Sequence, residues 1–440
     1  MTRVRPSTLL LHEQENAAQD SHHLRSRGKW LGPWELLAVL CMQLFFTFSF
    51  SLNSPVNGLF PTDDFPMEVF EQDSKYFIDA LENGTHFRWN PQHHLLYHVV
   101  TEGVYNKVFR PHVHHGVETA YMFLKGFAVL TGTAFMILLS RVLWEMGLPL
   151  FQRILLLLLS GISVTAWFNF SAIEAHSFGM AGIALYILVI LRLTRFGKFH
   201  LQEQLMLGVS LTFLFLCRLD LVRFFVATAL LIPLPRYRAH WRRLSLVLAT
   251  AFLASCLLYL PLTSLYFKVP LSDAPKTLLH RQDDTARLGV LGTRHNLTAS
   301  NLARMSLATT ISTVIMPVGT GKFREPLAGI TTHPMFAVTL MWYLIVLVRM
   351  ASTTWRDRNI TGPFVAGILV NWGVGLVLYT WFNPGEPFIW LLEFLPFLVV
   401  LLGNGQKQGG FKEWILIGIG TFLILVHNVM YFYLPYRVYH

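Results

Sequence analysis

The sequence predicts an all-α, polytopic membrane bundle of about eleven spans, and three observations carry that prediction. Hydrophobic residues make up 53% of the 440 and charged residues only 14%, against about 25% in soluble domains. The missing charge is absent from long blocks that approach the roughly 20 apolar residues a helix needs to cross hydrocarbon. Basic residues sit in short clusters between those blocks, where cytosolic loops hold them.

Taken in order, the apolar segments fall near 34–54, 117–140, 154–172, 177–194, 203–218, 221–235, 244–267, 333–349, 362–382, 387–403 and 414–434. The fifth and sixth are short and are parted only by Arg218-Leu219-Asp220. Residues 1–33 precede the first segment with Arg3, Arg5, Arg25, Arg27 and Lys29. They are too long and too polar for a cleavable signal and read as a cytosolic tail. Residues 34–440 then form a single membrane domain with an external C-terminus. With that start, nineteen of the 35 basic residues lie in the tail and in short loops on the cytosolic side. Two long external segments, 55–116 and 268–332, carry charge without voting on topology.

The net charge of +10 therefore marks sidedness, and nucleic acid is not an expected partner. Cys41, Cys217 and Cys256 all lie in apolar runs and read as small buried hydrophobes. Sequons at Asn83, Asn169 and Asn296 fall on the expected outer side and would permit glycosylation in a secretory compartment.

Polar groups near membrane depth are costly, so they are where function is sought first. In the first external segment, 66–82 carries Met67, Phe70, Phe77, Ile78 and Leu81 at helical spacing with acids on the other face. That pattern predicts an interfacial amphipathic helix. Asp63, Asp64 and Asp73 lie close to the first span's outer end, where a carboxylate can meet a substrate at the membrane surface. A second interfacial helix is expected after Asn90-Pro91, carrying His93, His94 and His98. His94 and His98, at i and i+4, share a face and would admit a divalent metal together with a carboxylate, although no cofactor is required. Glu174 and His176 sit in the connection between the third and fourth spans. Arg218, Asp220 and Arg223 bracket the next outer turn, where a structural salt bridge and a cation for phosphate are both open. Asn383 and Glu386 occupy a further outer turn rich in aromatic residues.

At these residues the chain resembles the GT-C superfamily of membrane glycosyltransferases, the polyprenyl-phosphate-sugar-dependent enzymes that include protein O-mannosyltransferases and aminoarabinose transferases. Asp73-Ser74-Lys75-Tyr76-Phe77 and Asn90-Pro91-Gln92-His93-His94-Leu95-Leu96-Tyr97 are similar to that family's acid-led helix and its Pro-containing second helix. Ala172-Ile173-Glu174-Ala175-His176 and Arg218-Leu219-Asp220 are similar to its later outer motifs. The resemblance implies transfer of a sugar from a polyprenyl-phosphate donor to an acceptor hydroxyl on a glycan, lipid or protein, at the outer or luminal face and with inversion. It implies Asp73 as general base, with Asp63 or Asp64 in reserve. His93, His94, Glu174, His176, Arg218, Arg223, Asn383 and Glu386 would contact substrate. The membrane would be a bacterial inner membrane or that of the endoplasmic reticulum. A multi-pass transporter or flippase is the alternative, since such proteins are also polytopic.

Overall fold

The computed structural model describes residues 31–49, 77–78, 80–82, 94–113, 116–171, 175–276, 296–316, 327, 332–356, 358–382, 391–406 and 411–434. Among them regular structure is helical throughout, with no strand. Among the described residues five helices are long and apolar enough to cross a membrane, or six if one bent pair is a single span.

Helix α1 (Pro33–Ser49) packs against α3 (Val117–Glu145) and α4 (Leu150–Ile162). Between α1 and α3, the short helix α2 (Leu95–Val104) continues through wider and tighter turns to His112. Helix α4 is followed after one residue by α5 (Val164–Ser171), bent 67° from it. A tight turn, Ala175–Gly179, leads into α6 (Met180–Phe196), which lies against α3 and against α7 (Leu201–Cys217). Beyond a second tight turn, Leu219–Val222, come α8 (Arg223–Leu231) and the long α9 (Trp241–Phe267).

Helix α10 (Ala299–Leu307) precedes α11 (Pro334–Arg356) and α12 (Arg358–Phe382). The chain closes with a Leu392–Phe394 turn, α13 (Leu395–Gln406) and α14 (Phe411–Asn428).

Burial sorts these helices by position. In α13 the successive residues Phe397, Leu398, Val399 and Val400 are all buried, and a helix apolar on every side belongs in a core. Helix α6 is likewise 78% buried across its apolar window, whereas α9 is 28% buried and exposes Leu246, Leu253 and Leu257. The first two are central struts, and the last turns an apolar face outward, as a helix against lipid would.

Three expectations are refined here. The expected sixth span contains a helix of nine residues, about 13 Å long, so it reaches the hydrocarbon thickness only together with the turns on either side. Part of the second long segment packs among the helices: Ala308, Ile311, Val314 and Ile315 are buried in the bundle. Asn169 is also no acceptor for a glycan, because it is buried in α5 and its amide donates to Thr165 O at 2.8 Å.

The bend between α4 and α5 explains why the second segment enters the bundle. Breaking a helix at membrane depth strands backbone groups that lipid cannot satisfy. Here Val164 N donates to Val314 O at 3.1 Å and Thr165 Oγ1 to Thr313 O at 2.7 Å. Asn428 Nδ2 reaches Ile162 O and Val314 O, each at 2.9 Å, and its Oδ1 accepts from Met316 N at 2.9 Å.

Candidate functional site

Four expected site residues fall within the described part of the chain, and they converge at one end of the bundle. Arg218 caps the C-terminal end of α7 in an extended conformation. A cation is favoured there by the carbonyls the helix leaves unpaired. Its Nε donates to Asp220 Oδ1 at 2.9 Å, and its Nη2 meets Asp220 Oδ2 at 2.5 Å, a bidentate fork across two residues. Its Nη1 lies 2.6 Å from Glu393 Oε1 and also hydrogen-bonds His176 Nδ1.

Arg223 opens α8, where a cation faces the positive end of the helix dipole. Glu393 offsets this: its Oε2 accepts from Arg223 Nη2 at 2.8 Å. Glu393 lies in the turn that begins α13, the favourable end for a carboxylate. A second guanidinium nitrogen of Arg223 donates to Asn371 O at 3.2 Å, and the Asn371 amide donates to Tyr186 Oη at 3.1 Å. The guanidinium also lies over the rings of Phe224, Tyr379 and Phe394, 4.5–5.4 Å from their centres. Gly375 makes this approach feasible, because a Cβ there would overlap Arg223 Nη1.

Tyr379 Oη donates to Glu393 Oε2 and lies 3.0 Å from Asp220 Oδ2, so the hydroxyl stands between both carboxylates. Two guanidiniums and two carboxylates leave this cluster formally neutral. Arg218, Arg223 and Glu393 are 3%, 1% and 2% exposed, so water screens little of their attraction.

The imidazoles extend the cluster toward α2. The rings of His94 and His176 stand 4.9 Å apart, edge to face, and both are buried. His98 turns elsewhere: its ring packs 5.3 Å from Phe77 and 5.4 Å from Tyr266. The i, i+4 pair therefore does not converge on one point. Among the described residues no group of three His, Cys, Asp or Glu is placed to hold a metal.

Phe77, Ile78 and Leu81 are buried against Tyr97, Tyr105 and Phe123, which gives the apolar face of that short stretch a protein partner. Further along α2, half-buried Glu102 has its pKa raised to about 7 by burial, opposed by Lys268 and by a hydrogen bond from Tyr266.

Asp63, Asp64, Asp73, His93, Glu174, Asn383 and Glu386 lie outside the described residues. Glu393, Tyr379 and Asn371 belong to the cluster although sequence reasoning did not single them out. Glu393 carried a usable signal, as the one charged residue in the run 387–403; an ionisable group within a span is a site candidate by default. The chain matches no family model and no curated relative.

Proposed function

We propose that this chain is a membrane glycosyltransferase that takes a sugar from a polyprenyl-phosphate donor and passes it to an acceptor hydroxyl with inversion. The observation that carries the reading is the buried cluster of Arg218, Asp220, Arg223, Tyr379 and Glu393 with His176 and His94 beside it. It fixes the ends of α7, α8, α12 and α13 and stands next to α2. The segment bearing Asp63, Asp64 and Asp73 leads toward α2 in the chain.

In this reading Asp73 takes the proton of the acceptor hydroxyl. The acceptor oxygen then attacks the anomeric carbon as its bond to phosphate breaks, and polyprenyl phosphate leaves with the bonding pair. Arg218 and Arg223 are already paired with carboxylates, so they hold the floor of the site, while His94 and His176 offer donors to the phosphate. All eleven apolar runs are taken as passes, α8 being completed by its flanking turns. The N-terminus is cytosolic, the C-terminus external, and the active face lies on the outer side of a bacterial inner membrane or in the lumen of the endoplasmic reticulum.

A broken helix is also a hallmark of transporters, whose substrates sit at the break. The break at Ser163 favours that alternative in shape but not in chemistry, because Val314 O and the Asn428 amide already pair with the freed Val164 N and Ile162 O.

Purified protein is expected to consume a polyprenyl-phosphate sugar. Asp73→Asn should abolish transfer at unchanged expression, and an Asp63→Asn/Asp64→Asn double variant should retain it. Full activity in both variants would overturn the assignment of the base. Substrate flux across sealed vesicles without donor consumption would establish the transporter instead.

A further inference from the structure

The N-terminal end of α9 bears a charged surface that sugar transfer leaves unused. Arg236, Arg238, Arg242 and Arg243 are all exposed, and Trp241 between them is 49% exposed. No Asp or Glu occurs between Asp220 and Asp273. Arg243 Nη1 donates to Phe199 O at 3.2 Å, and the Arg242 guanidinium lies 5.5 Å from the centre of the Trp241 ring. Neither contact removes the positive charge.

Ala239, His240, Trp241, Arg242 and Arg243 line an open cavity of about 470 Å³. From this hollow α9 continues as a 27-residue candidate span with Leu246, Leu253 and Leu257 exposed. Neighbouring α7 exposes Leu201, Leu205 and Val209. An arginine-lined cavity thus stands at the head of an apolar strip, Leu246 to Leu257, about 16 Å long.

We propose that this surface binds the headgroup of an anionic phospholipid. Guanidinium forks match phosphate oxygens, an indole ring is at home at the level of the headgroups, and the exposed leucines run where acyl chains would lie. Free phosphate matches the charge but has nothing to place against the apolar strip.

The test is lipid retention by the full chain, purified from a micelle supplied with equal phosphatidylglycerol and phosphatidylcholine and read by native mass spectrometry. Wild type is expected to retain phosphatidylglycerol preferentially. Arg242→Gln/Arg243→Gln should lower that preference about tenfold or more, given the usual contribution of a basic residue at an anionic surface. Lys407→Gln/Lys412→Gln, which removes the same charge from another part of the sequence, should change it less than twofold. Thermal unfolding in phosphatidylcholine alone checks that the arginine pair is folded. If it is not, the single Arg242→Gln variant, expected to lower the preference about threefold or more, replaces it. Equal losses in the arginine and lysine variants, undiminished preference in the arginine variant, or displacement of the lipid by millimolar inorganic phosphate would each overturn the proposal.

Discussion

The two ends of the bundle are both held by arginine–carboxylate pairs, yet they are built differently. At the end away from the candidate site, Glu145 closes α3 and is gripped by Arg141, one turn earlier, and by Arg192 on α6, with Oε1 and Oε2 at 2.5 and 2.8 Å from the Arg192 nitrogens. Arg192 also lies 3.6 Å from Glu203, and Arg153 lies 2.6 Å from Glu35. These arginines and Glu145 are 13–16% exposed. At the candidate site the pairs are 1–9% exposed, and Glu393 reaches Arg223 from 170 residues away. The first arrangement is a rim clamp between neighbouring helices, with water near enough to reach its arginines and Glu145, while Glu35 and Glu203 are 3% and 7% exposed. The second is sealed, so each member exists only because the others neutralise it, and its integrity depends on distant parts of the chain meeting correctly.

The sharpest way to break this comparison is Glu393→Ala. It leaves two buried guanidiniums short of a partner and is expected to cost about 3–5 kcal/mol, seen as a large fall in thermal midpoint together with loss of the proposed sugar transfer. A loss no greater than that of Glu145→Ala would mean that the sealed cluster and the rim clamp are equivalent. Next in size is Gly375→Val, whose side chain must displace Arg223. Overpacking of this kind costs about 1–3 kcal/mol, and chemical denaturation of the variant in micelles measures it. Arg192→Gln at the rim should cost less, about 1–2 kcal/mol, since one hydrogen-bonded charge is lost where Arg141 still holds Glu145; the same denaturation measurement ranks it against the other two.

The smallest effect concerns Glu102 on the short helix α2. Its pKa in the folded protein is raised to about 7, so the folded state holds a proton that the unfolded chain releases near pH 4.5. Stability from this group is present below about pH 4.5 and is lost as pH rises through about 7. Glu102→Gln should flatten that slope in thermal unfolding followed from pH 4.5 to 8. A slope that persists in the variant would assign the titration to another group.

Much of the helical plan was legible because apolar length reports directly on burial in lipid or core. Each apolar run coincides with at least one helix, but length could not distinguish a helix with an outward apolar face such as α9 from a central strut such as α13. The entry of Ala308–Met316 into the bundle was hidden by its composition: Thr309, Thr310, Ser312 and Thr313 read as an external loop, yet hydroxyls can turn back onto helix carbonyls. Thr313 Oγ1 does so, donating to Thr309 O at 2.7 Å. In the candidate site Arg218 and Asp220 could be read together because they are only two positions apart. Their link to Glu393 and Tyr379 is a tertiary contact, for which one chain offers only the hint of an isolated carboxylate in an apolar run.

Asn428 has a consequence for how the protein is made. The carbonyl of Ile162 is satisfied by an amide that lies 266 residues later in the chain, which at a synthesis rate of about 5–20 residues per second emerges some 10–50 s afterwards. Early in that interval the sharp corner between α4 and α5 has neither Asn428 nor the Val314 backbone, and after Val314 is made it still lacks Asn428, 114 residues further on. The nascent segment must wait in the insertion machinery or enter the bilayer as one unbroken helix, and the corner is among the last features of the molecule to form.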